Sequence, residues 1–242
     1  RLFGKIHSLH RVCVLCKKSI GWSYRGKIRM VNQKRRSFIT SGFFSGIAGW
    51  VQASGGTAEM QETPREIKGP FYPITPQKDK DFDLTRIAGQ DGAARGTVIW
   101  ITGEVFDSMG DPIEDASVEI WQANAEGRYH HPHDPNPAPL DQYFQGWAIV
   151  PSGSKGAFRF RTVMPGSYPA SPGWERPPHI HFKVMKRGFV ELVTQMYFPG
   201  QLLNETDRLL QRKEPAEQKL MIAEVLRDKH DSFYYRIVME RA

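Results

Sequence analysis

Residues 173–184 read GWERPPHIHFKV, and the spacing of the two histidines in this stretch decides the fold class. Alternate side chains of a strand point to one side, so His179 and His181 share a face while Ile180 and Phe182 share the other. Imidazoles on one face and bulky apolar groups on the other describe a strand with one side packed on a core. Taken alone, the pair also fits a half-exposed strand whose polar face happens to hold histidine. Yet the chain carries only six histidines after residue 53, and two of them fall here, behind Arg176 and Pro177-Pro178.

More strands lie to either side. GTVIWITGEVFD, residues 96–107, alternates bulky with small or polar residues and predicts a strand with an irregularity near Gly103. SMGDPIED is a turn, and ASVEIWQAN predicts a second strand. Further strands are expected over Ala157–Val163, His179–Met185, Glu191–Phe198 and Tyr234–Glu240, separated by turn clusters such as PSGSKG and MPGSYPASPG. Thr206–Lys229 is helical by propensity, with a break near Glu214-Pro215 where the proline opens a second helix. Upstream, GPFYPITPQKDKDFDLTR is too rich in proline and charge for a regular element and predicts an extended arm. Together these features predict a mainly β protein. It has a β-sandwich core over residues 97–242, an N-terminal extended arm over 54–96 and a late helical insertion.

The chain has 242 residues and a formal charge of +7, but the charge is unevenly spread. Residues 1–36 hold eleven Lys or Arg and no acid, which leaves residues 54–242 with 22 bases against all 26 acids. A net-acidic body argues against a nucleic-acid-binding surface. The basic part reads as an address. From Met30, a charged segment ending in Arg35-Arg36 is followed by a mildly apolar run from Phe38 to Val51 and a small-residue site at Val51-Gln52-Ala53. KRRSFI, residues 34–39, resembles a twin-arginine signal, so 30–53 is expected to direct export, to the periplasm, with membrane contact only during that passage. If the leader is not used, the protein stays in the cytoplasm. Residues 1–29 are expected to be an unstructured upstream extension. Both cysteines, Cys13 and Cys16, fall in it, and no second pair exists to complete a four-thiolate zinc site.

Four stretches could furnish metal ligands. EGRYHHPHDPNPAPLD carries Tyr129, His130, His131 and His133; MPGSYP carries Tyr168; ERPPHIH carries Arg176, His179 and His181; TQMYF carries Gln195. A His-x-His pair with one loop histidine would suit zinc or copper. A histidine pair with two tyrosines suits a harder ion, because a phenol ligates well only when a strongly Lewis-acidic cation draws off its proton. Ferric iron is the common ion of that kind. Against this stand ordinary roles: packing for either tyrosine, loop ordering for the three loop histidines, and a surface ion pair for Arg176.

GRYHHPHDPNPAPLD, MPGSYP and WERPPHIHF, in this order, resemble the intradiol ring-cleavage dioxygenases, over about Gly69 to Glu240. The resemblance implies that Tyr129, Tyr168, His179 and His181 bind one Fe(III), with Tyr168 the phenolate that leaves when substrate arrives. It implies that Arg176 lies over the substrate ring and stabilises negative charge there, and that Gln195 is a polar neighbour of the ligands. It further implies a catechol-type diol and O2 as substrates, a cis,cis-muconate-type diacid as product, and an oligomer formed with itself or with an α-type chain. Tyr72, Trp147 and Trp174 are expected to line the pocket. Where protocatechuate enzymes tend to carry an aromatic residue after Tyr-Pro, this chain has Ala170, which reshapes the pocket beside the ring. Two other readings stay open: a non-catalytic β-sandwich binding subunit, and an exported copper or zinc enzyme using His179, His181 and a loop histidine.

Overall fold

The computed structural model describes residues 59–242 except 76, 78 and 228–230. The expected upstream extension, the signal segment, the cysteine pair and the first residues of the arm lie outside the described residues. Among those described, no helix is long and apolar enough to cross a membrane.

Two four-stranded sheets form the body. The first has the order β4 (Ala157–Val163), β1 (Val98–Asp107), β10 (Ser232–Met239), β9 (Glu224–Val225). The second has the order β3 (Trp147–Pro151), β2 (Ser117–Trp121), β7 (His179–Met185), β8 (Leu192–Tyr197). A separate hairpin pairs β5 (Tyr168–Ser171) with β6 (Trp174–Arg176). β1 runs parallel to β10 and antiparallel to β4; all pairings in the second sheet are antiparallel.

Alternation decides what goes between the sheets. Ile99, Ile101 and Val105 of β1, Phe158 and Phe160 of β4, and Tyr235, Ile237 and Met239 of β10 meet Val118, Ile120, Ile180, Phe182, Val184 and Met196 from the second sheet. The Phe182 ring sits 6.1 Å from Phe158, 6.0 Å from Phe160 and 5.2 Å from Tyr235, so one residue of β7 touches two strands of the opposite sheet. Burial of such side chains, at roughly 1.5–3 kcal/mol each, is the main term holding the sandwich closed.

The expected irregularity at Gly103 is absent: the ladders pass through it in register, Gly103 facing Tyr235 on one side and Phe158 on the other. Glycine is there for space, since a Cβ would stand 2.2 Å from the Tyr235 carbonyl oxygen and 2.3 Å from the Phe158 ring. The helical insertion is also shorter than expected. Leu202–Glu205 and Leu210–Arg212 are 3-10 turns, and the one α-helix among the described residues, α1, covers Pro215–Met221. Pro215 opens it as anticipated, and Glu214 and Glu217 close a reciprocal capping box. It ends early because Ile222 bridges to Tyr197 and Ala223 donates its N–H to the Tyr197 carbonyl, which diverts the chain into β9.

The arm wraps the sandwich. Thr63 N–H bonds to Val238 of β10, Glu66 N–H to Val193 of β8, and Lys80 carbonyl accepts from Ile149 of β3. Between these anchors, residues 67–72 cross the outer face of the second sheet, where the histidines lie.

Candidate active site

On the second sheet the inward residues make the core, so their neighbours in sequence face outward. Register then places chemistry side by side. His181 is paired with Trp121 of β2 on one side and Gln195 of β8 on the other, and His179 with Tyr197. All five side chains are buried, although they are on the outer face, because the arm and two loops cover them.

The first loop supplies Tyr129. Its backbone N–H donates to Asp134 Oδ2 at 2.6 Å, and Asn124 Oδ1 accepts from the backbone of Glu126 and Arg128, so the loop is tied by its own polar groups. The second loop leads into β5 and supplies Tyr168, which the β5–β6 ladder sets opposite Arg176. The two loops touch backbone to backbone at Gly127, whose φ is +76° and whose missing Cβ would lie 2.1 Å from the Ser167 carbonyl oxygen. Gly127→Ala is therefore expected to push the two tyrosine loops apart and cost at least about 1–3 kcal/mol. Thermal denaturation measures the cost, and a melting temperature within a degree of wild type would contradict it.

These elements bring both tyrosines and both histidines together. Tyr129 Oη lies 3.0 Å from His181 Nε2 and 3.4 Å from His179 Nε2. The Tyr168 ring stands 5.5 Å from the Tyr129 ring and 5.7 Å from the His179 ring. His179 Nδ1 donates to the Pro177 carbonyl at 2.7 Å; a carbonyl can only accept, so the proton is on Nδ1 and Nε2 offers its lone pair. The His181 ring stacks on Trp121 at 4.9 Å and 9°, with its Nδ1 buried and unpartnered among the described residues. Burial pushes both imidazoles well below their ordinary range, and the Arg176 charge pushes the same way. Burial likewise raises both phenols, Tyr129 strongly, with Arg176 partly offsetting it at Tyr168. Four neutral groups thus face one another, and Tyr129 has one proton to share between two imidazoles. Two imidazole Nε2 lone pairs converge on one phenol oxygen that has a single proton to give, a surplus of lone pairs at one point that fits a bound cation.

Arg176 lies beside the four, 4% exposed. Its partner is a buried acid, Asp207, at 2.6 Å from Nε, so the pair is not the surface one considered above. Nη2 donates to Gln195 Oε1 at 2.7 Å and to Tyr197 Oη at 3.0 Å. Burial works against the guanidinium charge, but Tyr197, Tyr168 and Asp207 outweigh it and raise its pKa above the ordinary value. Gln195 in turn donates to the Ile67 carbonyl of the arm at 3.0 Å.

The remaining expected residues are placed less centrally. Trp174 is within cation–π range of Arg176 at 5.6 Å and of Arg208 at 5.3 Å. Tyr72 packs edge-on against the far side of the Trp121–His181 stack and donates to Glu119 at 2.9 Å. Trp147 also donates to Glu119, at 2.8 Å, one strand beyond Trp121. Both pack against the cluster formed by Trp121, Ala123, Tyr129 and Tyr168. Phe71 of the arm packs on the tyrosines, its ring 5.0 Å from Tyr129 and 6.2 Å from Tyr168, and Gly69 approaches His181 so closely that a Cβ would stand 3.2 Å from its Cε1. Of the loop histidines, His130 and His133 are exposed, and His131 Nδ1 accepts from the His133 backbone. Trp121, Phe71, Tyr197 and Asp207 went unnoticed in the sequence; alternation with Glu119 hinted at the first, and nothing local marked the others.

Residues 67–239 match the family model Dioxygenase_C, described as dioxygenase. The protocatechuate 3,4-dioxygenase beta chain of Burkholderia cepacia is 40% identical over 167 residues, 68% of this chain and 71% of that relative. The chain belongs to the intradiol ring-cleavage dioxygenases. Catechol 1,2-dioxygenase 2 of Acinetobacter lwoffii is 32% identical to this dioxygenase over 152 residues, 57% of this chain and 52% of that one. Among solved structures, the dioxygenase domain of a carbohydrate-binding fusion protein from Streptomyces sp. SirexAA-E superposes with a TM-score of 0.56 at 26% identity. It covers 75% of this chain and 100% of its own.

Proposed function

We propose that this dioxygenase holds one ferric ion on Tyr129, Tyr168, His179 and His181. With it the enzyme inserts both atoms of O2 between the two hydroxylated carbons of a catechol-type aromatic, giving a cis,cis-muconate-type diacid. The observation that carries the reading is the meeting of two buried imidazoles at the Tyr129 oxygen, 3.0 and 3.4 Å away, with a second phenol ring beside them. Phenolate oxygen is a hard donor that suits a trivalent ion, and ligation requires both phenols to shed their protons. Bound there, ferric iron would supply Lewis acidity toward the diol oxygens and a one-electron partner for O2.

The chain's own groups then divide the remaining work. Tyr129 is held by both histidines, whereas Tyr168 bonds to neither and sits on a hairpin outside the two main sheets. Tyr168 would thus be the phenolate placed to take a proton from the incoming diol. Arg176, fixed on three partners, is preorganised positive charge for the electron-rich ring. Ala170 is exposed on β5 and leaves room next to the ring, so substituted catechols other than protocatechuate are the first substrates to test. The likeness to a β chain supports assembly with an α-type partner, self-assembly being the other arrangement. The twin-arginine-like leader supports export after folding, with the metal already in place.

Iron analysis, visible absorption and oxygen uptake across a panel of substituted catechols test the proposal together. The expected protein is burgundy, with the broad charge-transfer band of tyrosinate on Fe(III), and consumes one O2 per diol. Tyr168→Phe should weaken that band and slow turnover by about tenfold or more. A colourless, zinc- or copper-loaded protein that takes up no oxygen would overturn it.

A further inference from the structure

We propose that Asp207 is a positioning residue of the ring-cleavage site: its buried carboxylate fixes the Arg176 guanidinium beside the tyrosines and histidines and offsets its charge, so that a cation can bind next to an arginine. The inference rests on the reading that these four residues hold a ferric ion.

The problem it answers is set by the geometry. A guanidinium with only 5% of its side chain exposed bonds to Gln195 and Tyr197, the ladder partners of His181 and His179, so a metal cation on those two imidazoles would lie in its field. Two phenolates leave a trivalent ion one net positive charge. Arg176 alone would raise the buried total to two, and Asp207 returns it to one. A buried ion pair is tolerable only when the partner's other lone pairs are satisfied, and here they are. Asp207 is fully buried; its Oδ1 accepts the backbone N–H groups of Leu209 at 3.1 Å and Leu210 at 2.9 Å and the Tyr197 hydroxyl at 3.2 Å, leaving Oδ2 for Arg176 Nε at 2.6 Å. The turn that opens the 3-10 segment Leu210–Arg212 therefore clamps the carboxylate. With Nε taken by Asp207 and Nη2 by Gln195 and Tyr197, Nη1 is the guanidinium nitrogen without a protein partner among the described residues, the one available to a ligand.

Asp207→Asn tests this, because an amide oxygen keeps the bonds to Leu209 and Leu210 while the charge is lost. Wild type, Asp207→Asn, Arg176→Gln and the double variant would be loaded with Fe(III), and retention measured against a graded chelator alongside kcat, KM and the visible band. Asp207→Asn is expected to release iron at about tenfold lower chelator and to lower kcat by about tenfold or more, with a smaller change in KM. In the double variant iron retention should return to the wild-type level while kcat stays low, since the guanidinium that Asp207 offset is gone and it is also the charge that acts on the ring. Iron loss in the double variant as large as in Asp207→Asn would show a merely structural role and overturn the proposal, as would an Asp207→Asn protein within twofold of wild type in both retention and kcat. Failure of wild type itself to hold iron would instead overturn the reading of the site, and this inference with it.

Discussion

His179→Ala is expected to yield a folded protein that no longer retains iron and no longer cleaves diols. Two features make the loss large. His179 is locked in one tautomer by the Pro177 carbonyl at 2.7 Å, so its Nε2 is the most rigidly presented lone pair of the four proposed donors. Removing it also leaves Tyr129 with a single imidazole neighbour. Second-layer changes at metal sites commonly cost 10–100-fold in affinity, and loss of a ligand should exceed about 100-fold. The fold should survive, because His179 points away from the sandwich interior while Ile180 and Phe182 on the same strand remain fully buried. The iron-free forms of variant and wild type should therefore melt within a few degrees of each other. His130→Ala, at an exposed position off the cluster, should keep its iron and its colour. Full iron occupancy in His179→Ala, or a colourless His130→Ala, would transfer the metal site to the loop histidines.

Arg176→Met should produce the opposite profile: a coloured, iron-containing protein that is slow and unstable. An exposed ion pair would contribute under about 1 kcal/mol, but truncating one partner of a buried pair strands the other charge and costs about 3–5 kcal/mol. With the Asp207 side chain fully buried, the second regime applies. For catalysis, removal of one preorganised charge-stabilising group typically lowers kcat by about 100- to 1000-fold. Iron should stay, since Arg176 repels a cation rather than holding one. Urea or thermal unfolding and steady-state oxygen uptake measure the two losses. A variant as stable as wild type, or within tenfold of it in kcat, would mean that the guanidinium neither balances Asp207 nor acts on the ring.

Much of the fold and of the cluster could be read from the chain, for a physical reason. A strand's period of two makes HIHF declare both its core side and its active side, and Ile180 and Phe182 do fill the sandwich. What stayed hidden depends on register or on distance along the chain. That Trp121 stacks on His181 follows from the β2–β7 pairing, which local sequence does not reveal. Asp207 lies 31 residues beyond Arg176, in a segment whose composition reads as helix, and only the turn at Leu209 and Leu210 shows its use. The β5–β6 hairpin was concealed inside SYPASPGWERPP, where proline and glycine argue for loop. β3 was missed because WAIVP is five residues long and ends in proline, which is tolerated because it closes an edge strand. The place of Phe71 beside Tyr129 is not legible locally either, because the direction of each side chain on an arm without regular structure depends on what the arm lies across.

The pairing of β1 with β10 has a consequence for how the molecule is made. Trp100 aligns with Ser232 and Asp107 with Met239, so the centre of the first sheet joins segments more than a hundred residues apart. Closing so long a loop is slow, and until it happens β1 has only β4 beside it. On the ribosome this strand waits, half unpaired, for nearly all of the domain to emerge, and a chain cut before Ser232 would leave that edge open for good. Such an intermediate is the kind that chaperones shield.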